Sequence, residues 1–503
     1  MSAGTRGAGD RPVAIVDLGS NSIRLVVYER LARAPLSRFN ERRFCGLGRE
    51  LARTGRLAPE AIGPALACLR RYALLARAMG CGVVEIVATA AVRTALDGAA
   101  FTAAVEAATG ERVTVLSGEE EARTSALGVE AGFFAPRGIV GDLGGGSIEL
   151  AFLGRGAEEP AGVSLPLGAL AALDGFKRDR ARLEEEIDAR LAAAPETARA
   201  ARGSTFWVVG GSWRAIGRAH MALADTPLKV VHGLELATDA AIALARTVAG
   251  LDERARAKLV GVSRRRLEML PAAALLLERV IRRLEPERVV FSATGLREGR
   301  LYAMLDSASR TLDPLLAGAA DLGARDGRIA GIGPALARWT APLFPAESAE
   351  EQRLREAACL VSDTGWREHP ESRARDAFFT LAHYPFLGID HPGRAFLAYA
   401  VFCRYEGRRE DPAVSRIVGL LDKAARRRAE ALGAVLELGY RLSGGVPEVL
   451  EACPVARDGG TLQLVLGHPA VDPADEAVRG RLEAAVAALG LDRAEFRVES
   501  GRG

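Results

Sequence analysis

The sequence predicts an α/β protein in which a duplicated strand–turn–strand unit opens each of two lobes and a mostly helical region follows. Three observations carry that expectation. First, two segments 125 residues apart repeat one pattern. DLGSNSIRL from Asp17 lies over DLGGGSIEL from Asp142, and Asp, Leu, Gly, Ser, Ile and Leu recur at six of nine places. Second, other strand-like runs end in glycine turns that lead straight into helix-like segments. Third, residues 310 to 503 read as a separate helical region. A chain of 503 residues also sets a prior of roughly three domains.

The elements follow in order. Each copy of the repeat, VAIVDLGSNSIRLVVY at 13–28 and IVGDLGGGSIELAFL at 139–153, is a β-branched run, a Gly/Ser turn and a second apolar run. That is the pattern of a β-hairpin with a permissive turn. Glycine lacks a Cβ, so backbone N–H groups can approach an anion closely. Serine adds hydroxyl donors, and the aspartate at the strand end offers a carboxylate to a metal. Two such hairpins facing each other can clamp a phosphate chain from both sides.

Between the copies, VVEIVATAAVR at 83–93 reads as a strand ending near Thr89, with Arg93 at a helix start. A guanidinium there suits phosphate oxygens, although an arginine in such a place is more often a surface residue. VTVL at 113–116 reads as a strand and EEEARTSALGVEA as a helix, with Ser117 and Glu120 fitting a capping box. Successive helical residues point about 100° apart, so Glu119, Glu120 and Glu121 cannot share one role, and spacing alone does not choose which faces a cleft. The run Phe206–Val209 meets Gly210-Gly211-Ser212 and then a helix-like stretch, which turns helix N-terminal amides toward an anion. A fourth junction, VVFSATG at 289–295 leading into LREGRLYAML, brings another strand end to the same cleft.

Hydrophobic residues at 49% and charged residues at 26% exclude a disordered, collagenous or coiled-coil chain. Aromatics at 5% argue against stacking platforms for single-stranded nucleic acid. The net charge of +3 gives little whole-molecule pull on a polyanion but leaves room for a local basic groove. Cys45, Cys68, Cys81, Cys359, Cys403 and Cys453 form no CxxC pair and read as free thiols in a reducing compartment. Residues 1–12 lack an apolar core and read as a loose tail rather than a signal peptide. No run of 18 or more apolar residues marks a membrane span. A cytoplasmic protein is expected, with no membrane or nucleic-acid partner.

DLGSNSIRL, TAAVR, SGEEEAR, DLGGGSIEL, VVGGS and GLREG, in this order, resemble the exopolyphosphatase/guanosine pentaphosphate phosphohydrolase (Ppx/GppA) family over about residues 12–305. The resemblance implies an actin-like (sugar kinase/Hsp70/actin) fold, with lobe I at 13–135, lobe II at 136–307 and an active cleft between them. A helical HD-like domain at 308–503 completes it. It implies hydrolysis of terminal phosphates from polyphosphate, or of the 5′-terminal phosphate of pppGpp, with a divalent cation, Mg²⁺ or Mn²⁺. The glutamate directly before Ala-Arg is the family's proposed catalytic base, here Glu121. The metal carboxylates fall on Asp142 and Glu149. The phosphate contacts fall on Ser20, Asn21, Ser22, Arg93, Gly144, Gly145, Gly146, Ser147, Gly211 and Ser212. Two departures are mild: Ile148 stands where the family often has Thr, and the GGT-like turn ends in Ser212, which keeps a hydroxyl.

In the C-terminal region, His369, His383 and His391 lie together in sequence. A working HD metal site needs a His-Asp dyad, but the dyad position reads Ser362-Asp363 and no His precedes it in this region. A domain that packs on the lobes and extends the binding groove is therefore expected, in place of a second metal centre. The runs Arg264-Arg265-Arg266, Arg282-Arg283 and Arg426-Arg427-Arg428 either line that groove or, as is commoner, form solvated helix faces. TLQLVLGH and AEFRVES, around a helical segment, suggest a small α/β element near the end of the chain.

The leading expectation is a Mg²⁺-dependent exopolyphosphatase acting by in-line water attack, as a homodimer. Its rivals are a pppGpp 5′-phosphohydrolase, a dual enzyme, and a non-catalytic sensor of guanosine polyphosphates. An actin-like kinase or ATPase fits less well, because no adenine pocket is readable.

Overall fold

The computed structural model describes residues 11–153, 162–194, 197, 201–407, 411–467 and 475–498. Residues 1–10 of the expected tail, and the side chain of Arg265 in the first basic run, lie outside the described residues. The chain divides into two compact units at Pro314/Leu315.

The first unit holds two sheets. One contains β1 (Val13–Leu18), β2 (Ser22–Tyr28), β3 (Ser37–Phe44), β4 (Val83–Ala88) and β5 (Val113–Val115), in the order β3-β2-β1-β4-β5. The other contains β6 (Gly138–Leu143), β7 (Ile148–Leu153), β8 (Val163–Leu165), β9 (Thr205–Val209), β10 (Leu234–Ala237) and β11 (Arg288–Phe291), in the order β10-β11-β9-β6-β7-β8. Apart from β10, the second order repeats the first, which is the two-lobed actin-like architecture. The register makes the duplication quantitative. β1 and β2 pair from Val13↔Tyr28 to Leu18↔Ile23, and β6 and β7 pair from Gly138↔Leu153 to Leu143↔Ile148, so adding 125 to every number of the first hairpin gives the second. Both turns close with the same bond: Gly19 N donates to Ser22 O at 3.1 Å, and Gly144 N donates to Ser147 O at 2.9 Å.

Packing explains these sequences. β1 and β6 each have a parallel neighbour, β4 and β9, and lie inside their sheets, so they read as nearly continuous apolar runs. The helix Pro59–Ala78 covers the first sheet with Ala61, Ala65, Cys68, Leu69, Tyr72 and Ala76, an apolar stripe at helical spacing. The helix Gly118–Gly132 starts with the expected capping box between Ser117 and Glu120. It crosses the helix Leu296–Ala303 at glycines. A Cβ on Gly128 would sit 2.1 Å from Gly295 O, and one on Gly299 would sit 1.9 Å from Thr124 O.

The second unit is mostly helical, with long helices at Ala349–Leu360, His391–Arg404 and Lys423–Ser443. It ends in β12 (Val455–Asp458), β13 (Thr461–Leu466) and β14 (Arg493–Val498), with the helix Glu476–Leu489 joining the parallel pair β13 and β14. This is the small α/β element read from the sequence. Asp363, at the dyad position, accepts from Arg328 Nη2 at 2.8 Å and from Arg404 Nη2 at 3.3 Å, so two guanidiniums surround its carboxylate. None of the six cysteines is in a disulfide. Among the described residues no helix is long and apolar enough to cross a membrane.

Candidate active site

The two duplicated turns meet across one cleft. A Cβ on Gly145 would lie 3.3 Å from Ser20 Cβ, and one on Gly146 would lie 3.5 Å from Ser20 Oγ. The Gly145 contact is tight and the Gly146 contact is close, so the glycine turn lies directly against Ser20 of the first turn. Among the described residues the N–H groups of Ser20, Asn21, Gly145 and Gly146 donate to no protein acceptor. Unused amides at adjacent positions form the concave cradle that anions occupy. Ser20, Asn21, Ser22, Gly144, Gly145, Gly146, Ser147, Gly211, Ser212, Glu121, Asp142 and Glu149 all line this cleft. The expected fourth junction also reaches it, through Gly295, Leu296 and Arg297.

Glu121 resolves the choice among three glutamates by position. Glu120 is used in the cap, Glu119 is exposed, and Glu121 is 8% exposed on the cleft side. Its Oε2 accepts from Arg93 Nη1 at 2.7 Å. Burial pushes its carboxyl up to about 7. Arg93 opposes this, and Asp142 and Asp17 add to it. Arg93 itself does not line the cleft. The same Nη1 also donates to Leu116 O at 2.8 Å, so in this structure the guanidinium holds Glu121 from behind.

Asp142 and Glu149 are direct partners across β6 and β7, and directly opposed residues of an antiparallel pair share one face. The same pair in lobe I is Asp17 and Arg24, so the duplication places an acid pair in one lobe and a neutral pair in the other. Asp142 Oδ2 accepts from Ser125 Oγ at 2.6 Å, and Glu149 Oε1 accepts from Ser164 Oγ at 2.9 Å. Ser147 also hydrogen-bonds the Glu149 carboxylate. Burial raises the affinity of both for a proton, and repulsion by Glu121 and Asp142 raises Glu149 further. An all-oxygen set of crowded carboxylates fits a hard divalent cation. Among the described residues no three His, Cys, Asp or Glu side chains converge as a complete cage. Such a site takes its remaining ligands from water and substrate, as Mg²⁺ sites do.

Two lining residues carried no sequence signal, Arg42 and Arg214; Asp17 and Arg297 stand in the DLGSNSIRL and GLREG motifs, but the resemblance gives them no site role of their own. Among the described side chains of the three basic runs, only Arg266 reaches the cleft, where it lies so close to Gly211 that a Cβ there would overlap its guanidinium. Arg282 pairs with Glu278, Arg426 with Glu430, and Arg428 with Glu347 and Glu351, so those two runs serve helix surfaces.

Comparison with known proteins agrees with this geometry. The model of the Ppx/GppA phosphatase family matches residues 26–308, and that of the exopolyphosphatase C-terminal domain matches residues 315–496. A guanosine-5′-triphosphate,3′-diphosphate pyrophosphatase of Vibrio campbellii is 28% identical over 306 residues, which are 59% of this chain and 60% of that relative. A solved exopolyphosphatase-like protein is 25% identical, with a TM-score of 0.51, over 58% of this chain and 97% of its own. An exopolyphosphatase of Cytophaga hutchinsonii shares the fold at 21% identity and a TM-score of 0.52, over 58% of this chain and 97% of its own. With the family model matching more than half of its length, the chain belongs to the Ppx/GppA phosphatase family.

Proposed function

We propose that the protein is an exopolyphosphatase, a divalent-cation-dependent hydrolase that releases the terminal phosphoryl group of inorganic polyphosphate. The observation that carries this reading is Glu121, a buried carboxylate with its pKa moved to about 7 beside a cradle of unused turn amides. A general base for water at neutral pH works best in that range. The amides of Ser20, Asn21, Gly145 and Gly146, with the hydroxyls of Ser22, Ser147 and Ser212 and the backbone of Gly144 and Gly211, hold the terminal phosphate. Asp142 and Glu149 would hold Mg²⁺ or Mn²⁺, which neutralises charge on phosphate oxygens when bound. Glu121, steadied by Arg93, orients a water in line with the bridging P–O bond. The water oxygen bonds to phosphorus and its proton passes to Glu121. The bridging P–O bond breaks, and its electron pair stays on the oxygen of the shortened chain.

The match of residues 315–496 to the exopolyphosphatase C-terminal domain favours polyphosphate. The Vibrio relative supports a second reading, hydrolysis of the 5′-terminal phosphate of pppGpp by the same chemistry. Phosphate release by purified protein, with and without Mg²⁺, from long polyphosphate, tripolyphosphate and pppGpp decides between them. Mg²⁺-dependent shortening of long chains is expected. Turnover of pppGpp alone would select the second reading, and binding without turnover would select a sensor.

A further inference from the structure

We infer that Arg214 and Arg297 form an anion seat in the cleft and are the ligands of the phosphoryl group next to the scissile anhydride. Which phosphoryl group they hold rests on the hydrolase reading above; the seat itself rests on geometry. Both residues stand in the first turn of a cleft-lining helix, Gly211–Leu223 for Arg214 and Leu296–Ala303 for Arg297. Each guanidinium offers five N–H donors, yet among the described residues each makes a single hydrogen bond. Arg214 Nη1 donates to Ala293 O. Arg297 Nη1 donates to Asp17 Oδ2 at a long 3.4 Å. Arg297 is only 7% exposed, and its Nε is buried with no acceptor. The adjacent carboxylate, Glu298, lies 3.9 Å from that Nε and is already engaged. It accepts from Tyr28 Oη at 2.7 Å and from Gly295 N at 3.0 Å.

Two buried arginines away from the cleft are better supplied. Arg33, 6% exposed, donates to three carbonyls, those of Leu312, Ala131 and Glu130. Arg355, 3% exposed, bonds Glu347, Ala337 O and Thr340. Arg214 and Arg297 have fewer of their donors engaged, and they also repel each other. Burial and then Arg297 push the Arg214 guanidinium down to about 9, whereas against the cost of burial Glu298 and Asp17 hold Arg297 above its ordinary value. Paired like charges with unused donors are costly unless an anion completes them.

Geometry places the seat on the Asp142 side of the cleft. Gly210 caps the helix of Arg214 and Gly295 caps that of Arg297. A Cβ on Gly210 would lie 2.9 Å from Asp142 Oδ1, and one on Gly295 would lie 3.8 Å from Asp142 Oδ2, so both helices start beside that carboxylate. A chain whose terminal phosphate sits at Glu121 places its next phosphate at the seat. When the anhydride breaks, the new negative charge appears on the bridging oxygen, which belongs to that second phosphate. Preorganised guanidiniums aimed at developing charge stabilise the transition state more than the ground state.

The test titrates the full chain with tripolyphosphate by calorimetry, using wild type, Arg214→Met and Arg297→Met, and records melting of the ligand-free proteins. Loss of one charge-assisted contact should weaken tripolyphosphate binding about 30-fold, with kcat falling as well as KM rising. Ligand-free Arg214→Met should melt at or above wild type, because a buried cation short of acceptors has been removed. A merely structural arginine predicts a lower melting point and unchanged affinity. Millimolar guanidinium should restore part of the activity of Arg214→Ala. Should the methionine variants fail to fold, Arg214→Lys keeps the charge but not the fork, and the seat predicts binding several-fold weaker. Unchanged tripolyphosphate affinity in the variants overturns the seat even if the wild type hydrolyses polyphosphate. A wild type that binds tripolyphosphate through these arginines but never releases phosphate contradicts the hydrolase reading and leaves the seat standing.

Discussion

Glu121 sits where its negative charge is expensive, and on the proposed reading that cost poises it as a base. Burial raises its carboxyl to about 7 in the folded chain, above the ordinary value of 4.5. The folded state therefore binds this proton more tightly than the unfolded state. The associated stability is present below the ordinary glutamate range and is lost as the pH rises through about 7. Glu121→Gln, neutral at every pH, should stabilise the metal-free protein at pH 8 by on the order of 2 kcal/mol. Melting curves at pH 5 and pH 8 check this, and the gain should shrink at the lower pH. The same variant should lose about 10²- to 10⁴-fold in phosphate release. The sequence narrowed the base to three adjacent glutamates. Glu120 was legible as a cap, because Ser117 stands three residues before it. Spacing left Glu119 and Glu121 open; the resemblance to the family motif, a glutamate directly before Ala-Arg, chose Glu121, and the packing of the helix against β7 and β8 supplies the burial that no local pattern encodes.

At the scale of elements, the hairpins were the most legible part of the chain. Their sequences repeat, and the repeat survives in the structure as one register and one turn bond. What local pattern did not show is what stands behind the turns. The helix Ala169–Arg178 backs the glycine loop: Ala169 N donates to Gly144 O and Leu170 N to Gly145 O, both at 3.1 Å. Its capping residue, Gly168, comes so close that a Cβ would lie 2.2 Å from Gly145 O. Gly168→Ala must therefore move the phosphate loop. KM for tripolyphosphate should rise on the order of tenfold to a hundredfold, with a melting point only a few degrees lower. The glycine crossing of the helices that carry Glu121 and Arg297 is a different case. Gly299→Ala collides with the Thr124 backbone and should destabilise the fold by about 1–3 kcal/mol, read by urea denaturation. The pairing of Arg214 with Arg297 was illegible for a related reason, although Arg297 stands in the GLREG motif. Each is a single arginine in a helical first turn, and its meaning comes from residues about 80 positions or more away: Ala293 for Arg214 and Asp17 for Arg297.

At the scale of the whole molecule, every cleft residue named above lies before Pro314, in the first unit. The solved exopolyphosphatase-like neighbour is nearly covered by 58% of this chain, which argues that such a unit folds alone. Residues 1–314 expressed by themselves should keep tripolyphosphate hydrolysis within about tenfold of the full chain; loss of long-chain processivity with short-chain turnover intact would assign chain holding to the second unit. The net charge of +3 argues against long-range attraction of a polyanion, so on the proposed reading the grip on a chain comes from local groups in the cleft. The measurement that bears most directly on the central claim is orthophosphate release from long polyphosphate by wild type and by Glu121→Gln, each with Mg²⁺ and with chelator. Mg²⁺-dependent release by the wild type, reduced at least about a hundredfold in the variant, is the predicted result. Release by Glu121→Gln within a few-fold of wild type would contradict it.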